Sequence, residues 1–294
     1  MNGASVENSI VTSSVGVRQR QPSPSIVIEP RRGLLKIDVG TLWQYRELLY
    51  FLIWRDVKVR YKQTMIGMAW VVLQPVLTMI VFTLVFGRFA RIPSDGIPYP
   101  VFIFAALLPW NLFASSLGRG GDSVVQHANL ISKVYFPRLV LPIAGVISPA
   151  IDFGVAFVVL IAMMAGYGIA PGAGVLALPL FVLLAMLTAL AVSLWTSALN
   201  VRYRDVGHAI PFLIQLWMFA SPVAYPVSIV PERWRLLYSL NPMTGVIEGF
   251  RWALLGKENF DAQVAAVSAF AVVMLLVPAA IYFRNTERTF ADLI

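Results

Sequence analysis

Long uncharged stretches alternate with short charged ones along most of this sequence. Runs without Asp, Glu, Lys or Arg cover residues 63–87, 96–118, 153–201, 206–231 and 262–283. The longest run is interrupted by a Pro/Gly-rich segment, which ends one helix and begins the next. Because about 20 apolar residues in a helix cross the hydrocarbon core of a bilayer, the pattern predicts six membrane-spanning helices. They cover approximately 66–87, 100–118, 139–168, 175–199, 208–225 and 263–283.

Residues 41–62 show a different pattern, that of an amphipathic helix. The apolar side repeats at steps of three and four positions and consists of Leu42, Tyr45, Leu48, Leu49, Leu52 and Ile53. Basic residues lie toward the other side, and Trp43 and Trp54 suit the boundary between membrane and water. We expect an N-terminal interface helix lying in the lipid headgroup plane. The open alternative is an ordinary amphipathic helix against a cytoplasmic partner.

The connection between the second and third spans is polar. Asp122 is suited to cap a helix there and Pro137 to end it, which predicts a short helix over about 122–134. A polar helix at this place is either a surface that a partner grips or a solvated connector.

Residues 226–256 are too polar to cross a bilayer and too apolar for a free loop. Pro231 opens one short helix, Asn241-Pro242 ends it, and Thr244 is the expected cap of a second helix that stops at Gly256. Two helices of about ten residues within 231–255 predict a re-entrant hairpin that dips into the outer leaflet before the last span.

The distribution of Lys and Arg predicts the orientation. With the N-terminus inside, 17 of the 23 basic residues lie on the cytoplasmic side. Both termini are therefore expected in the cytoplasm, with a C-terminal segment at 285–294. Residues 1–40 are predicted to be a disordered cytoplasmic tail without a cleavable signal peptide.

Composition narrows the class of protein. Apolar types make up 58% of the 294 residues and charged types 13%, which nearly excludes a soluble enzyme. Zero Cys and two His make a dedicated metal site improbable. No phosphate-binding G-x-x-x-x-G-K-[ST] run, H-E-x-x-H pair or G-x-S-x-G elbow occurs. Asp152 is the one charge inside the spans, so energy for uphill transport is expected from another polypeptide.

Four motifs in order resemble the ABC-2 type permeases that export O-antigen, teichoic acid and capsule polysaccharides. They are LIWRDVKVRYKQT at 52–64 followed by Gly67, Trp70 and Pro75, then NVRYRDV at 200–206, SPVAYP at 221–226 and LNP at 240–242. The resemblance covers about residues 40–290, and residues 63–284 would form the transmembrane domain.

The resemblance implies a fold and a set of partners. It implies an all-α integral membrane protein with six spans, an interface helix and a re-entrant hairpin. It also implies a homodimer in the bacterial inner membrane, bound to two copies of a separate ATPase subunit. That subunit would bind ATP and Mg, so this chain would hold no cofactor of its own. Membrane lipids and a lipid-linked glycan are the remaining expected partners, and no nucleic acid is expected.

The resemblance also implies roles for particular residues. Spans one and five would line a channel for the sugar polymer, whose apolar C–H faces stack on aromatic rings, and the candidates are Trp70, Gln74, Phe82, Phe86, Trp217, Phe219 and Tyr225. For each ring, core packing or contact with lipid is the alternative. The polar helix would dock into the ATPase through Asp122, Gln126, His127, Asn129 and Lys133. Arg202, Arg204 and Asp205 are either a second contact or an internal ion pair.

The resulting hypothesis is a permease subunit of an ATP-driven exporter of lipid-linked polysaccharide. Its basic residues Arg55, Lys58, Arg60 and Lys62 would receive the phosphate of the lipid headgroup. One alternative is an exporter of a drug or lipid within the same superfamily. The alternative of another class is an ATP-independent channel or carrier. A membrane-embedded glycosyltransferase would need a pair of metal-binding carboxylates that the sequence does not offer.

Overall fold

The computed structural model describes residues 39–62, 69–256 and 261–290. Every regular element within these ranges is helical. The α-helices are α1 Val39–Gln44, α2 Arg46–Lys62, α3 Ala69–Phe82, α4 Tyr99–Gln126, α5 Ala128–Ile131, α6 Val140–Ile147, α7 Ala150–Gly166, α8 Leu178–Arg202, α9 Asp205–Phe219, α10 Glu232–Tyr238, α11 Pro242–Leu255 and α12 Ala262–Thr286. A π-helical segment, Thr83–Phe89, continues α3.

Some sequence-based expectations fall outside the described residues. These are the predicted tail up to residue 38, the beginning of the first span, the motif residues Gln63, Thr64 and Gly67, and the last four residues of the chain.

Five helical stretches in the described part of the chain are long and apolar enough to cross a membrane. They are Ala69–Phe89, Tyr99–Gln126, Val140–Gly166, Gly174–Arg202 and Ala262–Thr289. The span predicted at 208–225 corresponds to α9, whose 15 residues end at Phe219. At 1.5 Å per residue α9 is about 22 Å long, less than the roughly 30 Å hydrocarbon core.

Helix α4 lies at the centre of the bundle and packs against α3, α6, α7, α8, α9 and α11. Its first half is apolar on all sides and buried, from Val101 to Trp110. Glycines allow α4 and α6 to approach closely, since a Cβ on Gly145 would lie 2.9 Å from the backbone nitrogen of Gly120. These six helices are therefore positioned in part by their contacts with α4, whereas α12 packs on α8 and α11, and α2 packs on α6.

The predicted interface helix is divided at Tyr45 into α1 and α2. Leu52 is fully buried in a cluster with Leu141 and Phe283, and the other residues of the predicted apolar side are half-buried against the same cluster. This apolar side therefore packs on the protein's own core. The exposed aromatic residues of the two helices are instead Trp43, Tyr50, Phe51 and Trp54.

The polar connection after the second span differs from the prediction of a helix that starts at Asp122. Helix α4 continues through Asp122 to Gln126, and α5 is a separate helix of four residues. Apolar and small residues keep the helical spacing beyond Gly118, with Gly121 and Val124 buried, so no break occurs at Asp122. Asp122 therefore does not cap a helix.

The two short helices after α9 are α10 and α11. Asn241, not Thr244, caps α11, since its side chain accepts a hydrogen bond from the Met243 backbone N–H at 3.1 Å. Asn is a strong cap and Pro242 suits the first helical position, which explains the earlier start. Gly256 ends α11 with φ of +67°, a left-handed conformation that favours glycine.

Candidate functional site

The bundle has two ends that carry different chemistry. We call the hairpin end the one formed by the loop 90–98, residues 220–241 and the start of α12. We call the basic end the one formed by the last turn of α4, α5, and the junction between α8 and α9. Since α4 runs from Tyr99 to Gln126, its 28 residues separate the two ends by about 42 Å.

At the hairpin end, one amide side chain joins α9 to α11. Asn241 accepts a hydrogen bond from the indole N–H of Trp217 at 2.9 Å. Its Nδ2 donates to the Ala220 carbonyl at 3.1 Å and to the Ser221 hydroxyl oxygen at 2.9 Å. The SPVAYP and LNP motifs, separated in sequence, are therefore partners in the fold.

A buried arginine holds the turn after α9. The side chain of Arg251 on α11 is fully buried and donates to the carbonyls of Val223 at 2.8 Å and Tyr225 at 3.2 Å. It also pairs with Glu248 at 3.1 Å. The hydroxyl of Tyr99 donates to the Ala224 carbonyl at 2.8 Å from the opposite side. The turn is thus held through its backbone, while its side chains Val223 and Ala224 are buried in the core.

Near its C-terminus, α2 carries an arginine whose charge is neutralised by a carboxylate in the third long apolar stretch. Arg60 forms an ion pair with Asp152 on α7, and the hydroxyl of Tyr61 donates to the same carboxylate. Burial and the nearby charge of Arg119 lower the pKa of Arg60, while Tyr61 and Asp56 oppose this effect. Arg60 stays charged at neutral pH, because a guanidinium is not deprotonated in proteins.

The four basic residues expected at a lipid headgroup differ in their surroundings. Arg55 donates to Asp56 at 2.9 Å and contacts the ring of His127. Arg60 is already paired with Asp152. Lys58 and Lys62 are exposed, although the Lys58 ammonium lies 5.6 Å from the centroid of the Trp54 ring.

The residues expected at the ATPase contact also divide into two sets. Asp122 accepts a hydrogen bond from Asn200 at 3.0 Å, and Asn200 accepts one from the Gly207 N–H at 3.1 Å, which joins α4, α8 and α9. Asp122 and His127 are thus half-buried and bonded inside the chain. The exposed members are Gln126, Asn129, Lys133, Arg202, Arg204 and Asp205. No ion pair joins Asp205 to Arg202 or Arg204 within the described ranges.

The seven candidate channel residues do not share one surface of the chain. Trp70, Gln74 and Phe219 are exposed. Phe82 and Phe86 pack edge to face with ring centroids 5.2 Å apart, half-buried against the core. Trp217 packs on Phe113 with centroids 5.0 Å apart, and the Tyr225 hydroxyl bonds that of Tyr238 at 3.0 Å. Only the first three are therefore open to a substrate in a single chain.

One polar residue of α9 was missed by the sequence reasoning. Gln215 is exposed near the middle of α9, as Gln74 is on α3. The signal was present, since Gln215 is an amide inside the uncharged run 206–231. An amide that faces hydrocarbon without a partner is unfavourable, so both helices present a polar group that needs water or protein.

The described residues contain no group of three or more His, Asp or Glu placed to hold a metal ion. Hydroxyls and amides at both ends are bonded to backbone groups, which positions helices and turns.

Comparison with known proteins gives a consistent answer over most of the chain. The profile of the ABC-2 type transporter family matches residues 47–255. An O-antigen export system permease protein, RfbA of Myxococcus xanthus, is 33% identical over 257 residues, which cover 86% of this chain and 98% of the relative. An RfbA of Klebsiella pneumoniae is 28% identical over 88% of this chain and 98% of its own length. The polysialic acid transport protein KpsM of Escherichia coli is 23% identical over 79% and 91%.

Proposed function

The chain belongs to the ABC-2 type transporter family, and from this premise we propose that it is the permease subunit of an ATP-driven exporter of lipid-linked polysaccharide. The proposal rests on the similarity to O-antigen export permeases. This similarity extends over nearly their whole length and so includes the motifs at both ends of the bundle. Five apolar helices and the family make it a multi-pass membrane protein.

The proposed orientation has six spans and both termini in the cytoplasm of a bacterium, in its inner membrane. Helix α9, extended by the turn held by Arg251, would serve as the remaining span. The basic end then faces the cytoplasm, as the distribution of Lys and Arg favours. The exposed Trp43, Tyr50, Phe51 and Trp54 support placement of α1 and α2 at the headgroup level.

The proposed functional unit is a homodimer with the glycan path between α3 and α9 of the two copies. Support comes from the exposed surfaces of these helices in a single chain, which combine apolar residues with Gln74 and Gln215. The exposed rings of Trp70 and Phe219 offer faces on which sugar rings stack. A hydrated path would satisfy the amides that hydrocarbon would leave without partners.

The exposed part of the basic end is the proposed docking surface for two copies of a separate ATPase, which would bind ATP and Mg. Gln126, Asn129 and Lys133 project there, next to Tyr135, which is 79% exposed. Arg202, Arg204 and Asp205 would add charged contacts. Asn200 links this surface to α4 and α9, so a displacement of the surface by the ATPase would be transmitted to α9, which borders the proposed path.

The headgroup role is proposed for Lys58 and Lys62, since Arg55 and Arg60 already have partners inside the chain. Two exposed ammonium groups on α2, of which that of Lys58 lies near Trp54, suit a phosphate at the membrane surface.

The decisive experiment deletes the gene in its own bacterium and measures both surface polysaccharide and intracellular lipid-linked glycan. Loss of the former with accumulation of the latter is expected. Unchanged polysaccharide with altered drug resistance or lipid composition would contradict the proposal. Purification should recover an ATPase, and inactivating its phosphate-binding lysine should stop export. Export that is indifferent to that change would favour the channel or carrier.

A further inference from the structure

A large open cavity lies at the hairpin end, and its lining contains none of the residues assigned above to the path, the headgroup or the ATPase. Its volume is about 900 Å³, and its wall comes from the loop before α4, from α10 and α11, and from the start of α12. Small-molecule sites in proteins have volumes of roughly 300–1,000 Å³. The cavity is therefore large enough for a short oligosaccharide.

The wall carries acidic and basic groups placed by the fold. Asp95 is held by a hydrogen bond from the Ser228 hydroxyl at 3.1 Å. Glu248 lies on the wall with its carboxylate on buried Arg251. Arg235, on α10, lines the same cavity, and its Nε is buried without a hydrogen-bond partner among the described residues. Because that atom is enclosed by protein, a ligand in the cavity would meet the other donors of the half-buried guanidinium.

The chemistry of the wall selects among ligand classes. Asp95, Glu248 and Asp261 line the cavity together with Arg235. Since Glu248 is paired with Arg251 and Asp261 caps α12, the wall keeps an excess of negative charge, so a phosphate or another anion is disfavoured. Carboxylates accept hydrogen bonds from hydroxyl groups, and Arg235 donates to hydroxyl and ring oxygens. Trp252 adds an aromatic surface to the wall. This combination fits a neutral carbohydrate. Its hydroxyl groups would bond to the charged side chains, and its C–H face would stack on the Trp252 ring.

We propose that this cavity is a binding site for a neutral oligosaccharide segment of the exported glycan. The inference rests on the proposed function for the identity of the glycan and for the outward placement of the hairpin end. Its position beside α11, whose Arg251 holds the turn after α9, puts bound sugar next to the end of the proposed path. A segment held there would be kept from sliding back.

The test uses the full chain with its ATPase in lipid nanodiscs. The probe is the strain's own surface polysaccharide, freed from lipid by mild acid and sized to short oligosaccharides, and binding is followed by saturation-transfer NMR. Arg235→Gln should weaken the affinity by about tenfold. Arg233→Gln is the matched control, because Arg233 is two positions away, exposed and absent from the wall, with its guanidinium 5.8 Å from the Trp234 ring centroid. The control should bind as the wild type does.

A second measurement does not depend on the stability of a variant. Fluorotryptophan is incorporated into the wild-type protein, and Trp252→Phe identifies the resonance of residue 252. That resonance should shift with the probe and stay unchanged with a negatively charged oligosaccharide of equal size. The site is refuted if the Trp252 resonance is unaffected, or if Arg235→Gln binds like the wild type. If export in cells is intact, these results would refute the cavity as a glycan site but not the proposed function. Loss of export on gene deletion is what bears on the function itself.

Discussion

The guanidinium carbon of Arg251 lies 3.6 Å from the centroid of the Phe102 ring. Phe102 belongs to the buried first half of α4 and Arg251 to α11, so the contact fixes α11 on the central helix. The same guanidinium bonds the backbone of the turn after α9. One charged group therefore joins three parts of the hairpin end.

Replacing Arg251 should destabilise the protein strongly. Arg251→Met leaves two carbonyls and Glu248 without their donor, with an expected loss of about 2–4 kcal/mol. Arg251→Lys should lose less stability, because it keeps the positive charge. It should still be less stable than the wild type, because an ammonium lacks the planar arrangement of donors. Thermal unfolding in detergent measures both. Arg204→Lys at an exposed position is the control, and an Arg251→Met protein as stable as the wild type would refute this account.

Asn241 should be intolerant of Asp as well as of Ala. Asn241→Asp keeps the acceptor for Trp217 but loses the donors to Ala220 and Ser221 and places a carboxylate beside a carbonyl oxygen. We expect each variant to lower stability by about 1–3 kcal/mol and to reduce export. Measurement combines thermal unfolding with surface polysaccharide. Asn129→Ala, at an exposed amide, should leave stability unchanged; equal stability of Asn241→Asp would contradict the network.

The pair of Arg60 and Asp152 should couple α2 to the third span. Asp152→Asn and Arg60→Gln should each speed hydrogen exchange in α2, and the double variant should add little to either single change. Lys62→Gln, at an exposed position near the same end of α2, should leave exchange unchanged but reduce export by the headgroup role. Strictly additive effects of the two substitutions would rule out direct coupling.

The path between α3 and α9 can be probed directly, since the sequence contains no cysteine. Gln74→Cys and Gln215→Cys should react with a hydrophilic thiol reagent in membranes that contain the assembled transporter. Val158 on α7 is 67% exposed, and we expect it to face lipid. Val158→Cys should therefore not react. Rapid labelling at 158, or protection at both 74 and 215, would place the water elsewhere.

Local signals determined the parts of this protein that depend on neighbours in sequence. Five long apolar helices, the two short helices at 231–255 and the stop at Gly256 follow from hydropathy and from the caps. Capping acts within one helical turn, and burial in lipid acts over one helix of about 20 residues, so a single segment reveals both.

Only the tertiary structure decided which groups meet. Arg60 and Asp152 are 92 positions apart, and Asp122 and Asn200 are 78 apart, so neither pair shows in a local pattern. The apolar side of α2 could face lipid or protein, because both environments exclude water and accept the same residues. Whether an amide such as Gln215 is exposed or buried likewise depends on which helices pack beside it. The sequence determines what must leave water, and the packing of α4 with its neighbours determines where it goes.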